Sequence, residues 1–539
     1  METSKKLTAL FIALFVGAVL SPAEVLPTYA LVNCRIVPVT SPVIEKGVVI
    51  IRDGLIESIG AIGKIKIPED AEVIEAEGMT AFPGLILAHT SLFLELPKEE
   101  RPVPGEARMP SEPQPEKKVQ NPGLRAFNLL KPKKTTIDGY HRIGITTVLV
   151  APEAGIFAGQ SVLLNLNGEK PEAMVVKNPV ALHINFVTER NSYPSSLMGT
   201  VAFLKQSFLD AEYYSSYQSH LARLQKGMKR PEYNPFLEAI IPYVIEKKPI
   251  VFTCGNQEDI KRALRLQDEF KLNAFLSGAN EAWRVADLLK KAQVPLLVSL
   301  DFRPPLSSEY SQRGEEERKK AEKDIYPANP QALSKAGLKF ALTSSGLIDP
   351  SSFQKNVREA IKAGLPQEEA LKALTITPAQ FLGVDSVLGS LEPGKIANLI
   401  LANGEIFGEK TEVEKVFVDG VLFPIEKKAA EAKPTAADIA GTWKATVRTP
   451  MGEMEMTMEL EQEGSQVKGF MSSQMGKWEI KDGILSGAEL TFTLAATIMG
   501  ETMEMAFSGK TEKDTIEGTI SSAMGNAEFR ATRIPKAME

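Results

Sequence analysis

Metal ligands are scarce in this chain: 539 residues carry four histidines and two cysteines. Any centre built on imidazole or thiolate therefore has little to draw on. A basic excess is missing as well, the net charge being −6, and the run Lys131-Pro132-Lys133-Lys134 is short and isolated. Nucleic acid is excluded as a partner, because nothing is there to neutralise a line of phosphates. There is no G-x-S-x-G elbow, no phosphate-cradling glycine loop and no C-x-x-C pair, which removes the common nucleophilic and nucleotide chemistries. Cys34 and Cys254 allow one bridge by arithmetic, but they fall in distant β-type runs and read as two buried free thiols.

What is present begins with an export signal. Lys5-Lys6 precede an apolar run from Leu7 to Leu20, shorter than the ~20 residues of a spanning helix, and Ser21-Pro22-Ala23 suits signal peptidase. Residues 1–23 are thus expected to be removed, leaving no transmembrane segment in a periplasmic or extracellular protein. An uncleaved anchor is the alternative.

Short β-type runs follow, Ala30–Val37, Gly47–Ile51 and Ile56–Gly60, with a turn at Asp53-Gly54. Similar runs return far downstream at Lys395–Ala402 and Val413–Val421, with Asp419-Gly420 as a hairpin turn. Residues 24–82 and 385–425 are therefore expected to pair as one composite β-sandwich. Between them, in 83–384, apolar runs alternate with amphipathic helices such as Gln257–Phe270, Asn280–Ala292 and Ser351–Gly364. The eight runs are Phe82–Leu87, Thr146–Ala151, Ser161–Leu166, Val180–Phe186, Pro249–Thr253, Asn273–Ser277, Val294–Leu300 and Lys339–Ser344. Largely apolar parallel strands buried on both faces predict an α/β fold, a (β/α)8 barrel, with a doubly wound sheet as the structural alternative. Residues 97–134, crowded with Pro, Glu and Lys, read as a mobile loop beside the barrel mouth.

Residues 426–438 form a linker, and 439–539 an internal repeat. Met-Gly recurs at Met451, Met475, Met499 and Met524, and each period has room for two strands with turns such as Lys481-Asp482-Gly483 and Lys510 to Asp514. Met454, Met456, Met458 and Leu460 alternate with polar residues. An eight-stranded up-and-down barrel, lipocalin-like in outline, closes this pattern without unpaired edges. An apolar small ligand is one use for its interior; methionine filling irregular space is the plainer one.

The nine residues Pro83-Gly84-Leu85-Ile86-Leu87-Ala88-His89-Thr90-Ser91 resemble the P-G-L-I-D-x-H-x-H signature of metal-dependent amidohydrolases. Residues 32–60 and 388–423 resemble the two halves of that superfamily's companion domain, and 121–166, 179–214 and 249–298 resemble the secreted imidazolonepropionase-like group. The likeness covers roughly residues 29 to 425. It implies a hydrolase of non-peptide carbon–nitrogen bonds, in which a divalent metal lowers the pKa of a water and a last-strand aspartate accepts its proton. At the positions that matter the residues differ. Leu87 stands for the acid, His89 matches the first histidine, and Ser91 replaces the second. Thr253 falls at the strand 5 histidine, and Ser345 at the strand 8 aspartate. Gly394-Lys395-Ile396-Ala397-Asn398-Leu399 replaces G-K-D-A-D-L.

His89 and His183 are the remaining metal candidates, read as vestigial; His141 and His220 read as structural. Glu153, Asp301, Arg303 and Glu309 near strand ends read as caps or ion-pair partners. The expectation is an envelope protein with catalysis largely lost and no cofactor, a binding or scaffold subunit forming a homo-oligomer or a hetero-oligomer with an active paralogue. The alternative is a divergent amidohydrolase on a cyclic amide or peptide-like substrate, with a reduced zinc site.

Overall fold

The computed structural model describes residues 26–95, 121–188, 193–224, 226–305, 308–310, 313–347, 352–425, 438–449, 452–464, 466–473, 476–486, 488–498, 501–522 and 525–534. The expected signal segment 1–23, most of the 97–134 loop, the linker up to 437 and all four Met-Gly methionines lie outside them. The chain divides into two compact units, one ending at Ile425 and the other starting at Glu426.

In the first unit both flanks build one eight-stranded sheet. Tyr29–Ile36 pairs antiparallel with Ile44–Arg52, and Thr80–Pro83 joins Tyr29–Ile36 to Leu399–Ala402 from the far end of the unit. Leu31, Cys34 and Val49 from one flank share a core with Leu399, Leu401 and Phe417 from the other. Residues 80–83 thus end in this sheet, and the first barrel strand is Leu85–Thr90.

All eight expected barrel runs are present. In order, the strands after the first are Ile145–Val150, a strand broken at Ser161 into Phe157–Gln160 and Val162–Asn165, then Leu182–Asn185, Ile250–Cys254, Ala274–Gly278, Leu296–Ser299 and Phe340–Thr343. They are apolar because one face meets the helices and the other the bore. Leu85, Leu87, Val148, Ile250 and Leu276 pack outward, while Ile86, Ala88, Leu149, Val251, Phe275, Leu297 and Ala341 fill the bore with the helix Ile376–Leu382.

Direction is where the expectation of eight parallel runs needs correction. The third strand runs antiparallel to both neighbours, Leu149 facing Leu163 and His183 facing Gly159. Ser161 carries it from one sheet to the next, its N–H donating to the Ala181 carbonyl at 2.9 Å. No crossover helix is needed, because a short connection suffices between antiparallel neighbours.

Helix Gln257–Phe270 shows why the layer outside forms where it does. Asn256 Oδ1 accepts from the Glu258 and Asp259 amides, Lys271 closes the other end in the left-handed region, and Ile260, Ala263, Leu266 and Phe270 form the buried stripe. The other two expected helices appear as Ala282–Val285 running into Ala286–Ala292, and as Phe353–Lys362. Both cysteines are buried free thiols.

The second unit is a closed antiparallel barrel of eight strands, each paired with the next and the first, Gly441–Thr449, with the last, Gly525–Arg533. Trp443, Met458, Met471, Phe492, Phe507 and Phe529 are buried inside it. The expected turn at Lys481-Asp482-Gly483 is instead the middle of strand Gly476–Ser486, at a register irregularity between Lys481 and Ile484. A Cβ on Gly483 would stand 2.1 Å from the Val467 carbonyl oxygen, so the glycine serves a close strand crossing rather than a turn.

Candidate functional site

The inward residue at the C-terminal end of each barrel strand follows from alternation. Counting two residues on from the bore residues Ala181, Val251, Phe275, Leu297 and Ala341 brings His183, Thr253, Ser277, Ser299 and Thr343 to the next layer. The first strand departs from this rule. Ala88 already faces the bore, yet a register shift between Leu87 and Thr90 inserts an extra residue, and His89 turns inward too.

His89 and His183 therefore meet, with ring centroids 4.9 Å apart and planes tilted by 54°. His89 Nδ1 lies 2.6 Å from Ser277 Oγ, and Thr343 Oγ1 donates to the His89 carbonyl. His89 Nε2 and both ring nitrogens of His183 are buried without a hydrogen-bond partner. Desolvation pushes His89 down to about 4; desolvation and then the adjacent His89 hold His183 well below the ordinary histidine range. At neutral pH both rings are uncharged, each carrying one N–H and one lone pair.

The remaining sequence-predicted positions do not complete a centre around this pair. Leu87 is fully buried on the helix side of its strand. Ser91 is exposed and hydrogen-bonds Glu153, whose carboxyl is pushed up by desolvation and drawn partly back by that bond. Asn185 holds the Glu153 connection in place, its Nδ2 donating to the Glu153 and Gly155 carbonyls at 2.8 Å each. Thr253 is half-buried in register between Asn185 and Ser277. Ser345 uses its backbone: its carbonyl accepts from Ser299 Oγ at 2.5 Å, and its N–H donates to Thr343 Oγ1 at 3.3 Å.

Acids beyond strand 7 are committed elsewhere. Arg303 Nε and a terminal nitrogen donate to the Asp301 carboxylate at 2.8 and 2.5 Å, and Arg303 also reaches the Gly346 carbonyl, which ties the loops after strands 7 and 8. Glu309 pairs with Arg284 at 2.7 Å. Cys254 packs outward in the core, its thiol pushed up by desolvation. His141 Nε2 lies 2.9 Å from the Leu166 carbonyl oxygen, and His220 bonds its own helix through the Ser216 carbonyl; both are structural.

Among the described residues no three His, Cys, Asp or Glu side chains are placed to hold a metal ion. The bore offers two neutral imidazoles and a ring of hydroxyls. That donor set does not fit a divalent centre, which in this chemistry draws on carboxylates to offset charge and on a strand 8 acid to accept a proton. An imidazole held near pKa 4 is also a weak base at neutral pH. The site can donate and accept hydrogen bonds from buried, uncharged groups. Sequence reading missed Ser277, Ser299, Thr343 and Asn185, although alternation along each strand would have found them.

Comparison with known proteins agrees with the barrel. The model of the amidohydrolase family matches residues 239–423. The crystal structure of an amidohydrolase from Thermotoga maritima MSB8 superposes with a TM-score of 0.62 at 26% identity, over 74% of this chain and 100% of that one. Adenine deaminase 2 of Jannaschia sp. is 30% identical over 173 residues, and adenine deaminase 1 of Desulfotalea psychrophila 28% over 129. The matches span 24% and 21% of those deaminases' lengths, and 30% and 23% of this chain. With the family model over residues 239–423 and the barrel in agreement, the first unit belongs to the amidohydrolase superfamily.

Proposed function

We propose that the amidohydrolase barrel of this chain is a non-catalytic binding or scaffold unit of the cell envelope, exported by its N-terminal segment and assembled with itself or with an active paralogue. The observation that carries this reading is that, among the described residues, no carboxylate stands with the paired imidazoles of His89 and His183 to form a metal group, together with serine at position 345. Without an acid to hold a cation or take a proton, the superfamily's water activation has no seat.

A second reading rests on the same pair. The imidazoles of His89 and His183, with unpartnered ring nitrogens in one buried bore, would offer at most two ligands to a reduced metal site, and a divergent hydrolase would then act on a cyclic amide or peptide-like bond. The deaminase names of the relatives add amino-substituted purines to the substrates worth trying.

Metal content and turnover decide between the two. Full-length protein, isolated from its native compartment and supplied with zinc, is expected to hold far less than one equivalent. It is also expected to leave adenine, 5-methylthioadenosine, cyclic imides and dipeptides unchanged. Near-stoichiometric zinc with turnover of any of these overturns the non-catalytic reading.

A further inference from the structure

The barrel has a second opening. Where strands Leu182–Asn185, Ile250–Cys254, Ala274–Gly278 and Leu296–Ser299 begin, the helix Ile376–Leu382 covers the N-terminal end incompletely and leaves a cavity of about 350 Å³, within the about 300–1,000 Å³ common for small-molecule sites. Its walls are apolar: Val180, Val251, Pro249, Pro295 and the edge-on pair Phe275–Phe381, with ring centroids 6.4 Å apart. Among the described residues no aspartate or glutamate lines it.

One charge does. Lys177 Nζ stands at the rim and donates to the Leu382 carbonyl at 2.8 Å. Among the described residues it has no carboxylate partner, so an ammonium with three donors spends one of them on the helix end. The amides of Asn273 and Gln380 share the rim, both exposed. An apolar hollow closed by a single cation and two amides is complementary to an apolar tail ending in one negative group.

We propose that this cavity binds a small apolar monocarboxylate, its chain against Phe275 and Val251 and its carboxylate on Lys177. The site lies at the opposite end of the barrel from His89 and His183, and the inference stands whether or not that pair supports catalysis. Tail length sets affinity through burial, each added methylene tightening binding about fourfold until the cavity is full.

Titration of the full-length protein with sodium octanoate, followed by calorimetry, tests this. The expected result is saturable one-to-one binding, hexanoate weaker by about 15-fold, and 1-octanol weaker by at least tenfold for want of charge. Lys177→Met should lose octanoate at least tenfold and Lys177→Arg should retain it. Gln380→Trp, at an exposed rim position that leaves the core untouched, should block entry. If Lys177→Met fails to fold, the octanoate-to-octanol ratio and Gln380→Trp still decide. Absence of saturable binding at millimolar octanoate, equal binding of octanol, or full binding by Gln380→Trp would overturn the proposal, the last by placing the ligand elsewhere.

Discussion

Ser277 Oγ and His89 Nδ1 are 2.6 Å apart, and this bond across the bore fixes the orientation of the first-strand imidazole. It joins strands far apart in sequence, yet among the described residues it is the only hydrogen bond that either ring of the His89–His183 pair makes. Replacing Ser277 with Ala leaves all the ring nitrogens of the pair unpartnered. Chemical denaturation is expected to show a loss of about 1–3 kcal/mol, the range for orphaning a buried polar group. An unchanged midpoint would mean that water already serves the ring.

Acid should unfold the first unit earlier than its carboxylates alone require. Both histidines have folded pKa values depressed below the unfolded value near 6.5, His89 to about 4. The unfolded chain therefore binds more protons as pH falls. The His89 contribution is complete above pH 6.5 and drains away between there and about 4; that of His183 is lost in the same direction as pH falls. By pH 5 the loss from His89 is about 2 kcal/mol, and His183 adds to it in the same direction. Urea midpoints at pH 7.5 and 5.0 measure it, and a double replacement of His89 and His183 by Gln should flatten the difference. A slope that the variant leaves intact would assign the acid sensitivity to other groups.

Restoring the missing donors should restore the ion. Ser91→His with Ser345→Asp supplies a second first-strand imidazole and a strand 8 carboxylate around His89 and His183. Zinc bound per chain is expected to rise from well under one equivalent to about one. If the double variant folds and stays empty, the obstacle is the shape of the mouth rather than its donors.

Asn398 predicts a different outcome for a different lost acid. Its Nδ2 donates to Thr147 Oγ1 and Asn165 Oδ1, and its Oδ1 accepts the Asp419 amide at 2.8 Å. Asp419 is already partly desolvated, with its pKa pushed up by that burial and drawn back by bonds from Asn165 and Asn167. Asn398→Asp would set a second carboxylate there, one oxygen keeping the Asp419 amide as donor and the other turned against Thr147 Oγ1 and Asn165 Oδ1, which accept from Asn398. A destabilisation of about 3 kcal/mol is expected, read from the urea midpoint; a neutral result would mean that the network rearranges at no cost.

In the second unit Phe507 stacks on Phe492 at 4.4 Å and meets Phe529 edge-on at 4.7 Å. Phe507→Ala should remove about 3–5 kcal/mol from the unfolding of a fragment spanning 426–539. An unchanged urea midpoint would mean that the ring stack carries no stability.

Apolar composition made the barrel legible, since strands buried on both sides must be apolar throughout. Composition carries no sign of direction, however, so the reversal of Phe157–Asn165 stayed hidden. Pairing of the two flanks was legible, but not that Thr80–Pro83 is the strand that meets Leu399–Ala402, because the apolar run continues through Phe82 to Leu87 with no sign of a break. At the site, strict alternation from Ala88 would have sent His89 toward the helices, and only the register shift brings it to His183. The Asp-Gly signal at 482–483 failed for a related reason: a glycine needed for backbone approach looks the same as one needed for a turn.

The reversed third strand has one further effect. Val150 sits opposite Val162, so residues 151–161 make a direct antiparallel connection, and Phe157–Gln160 within it is pinned on its other side by residues 182–184. A residue inserted in 151–156 is therefore expected to be taken up in that connection, carrying Glu153 away from Ser91 while burial keeps Leu163 on the inner wall.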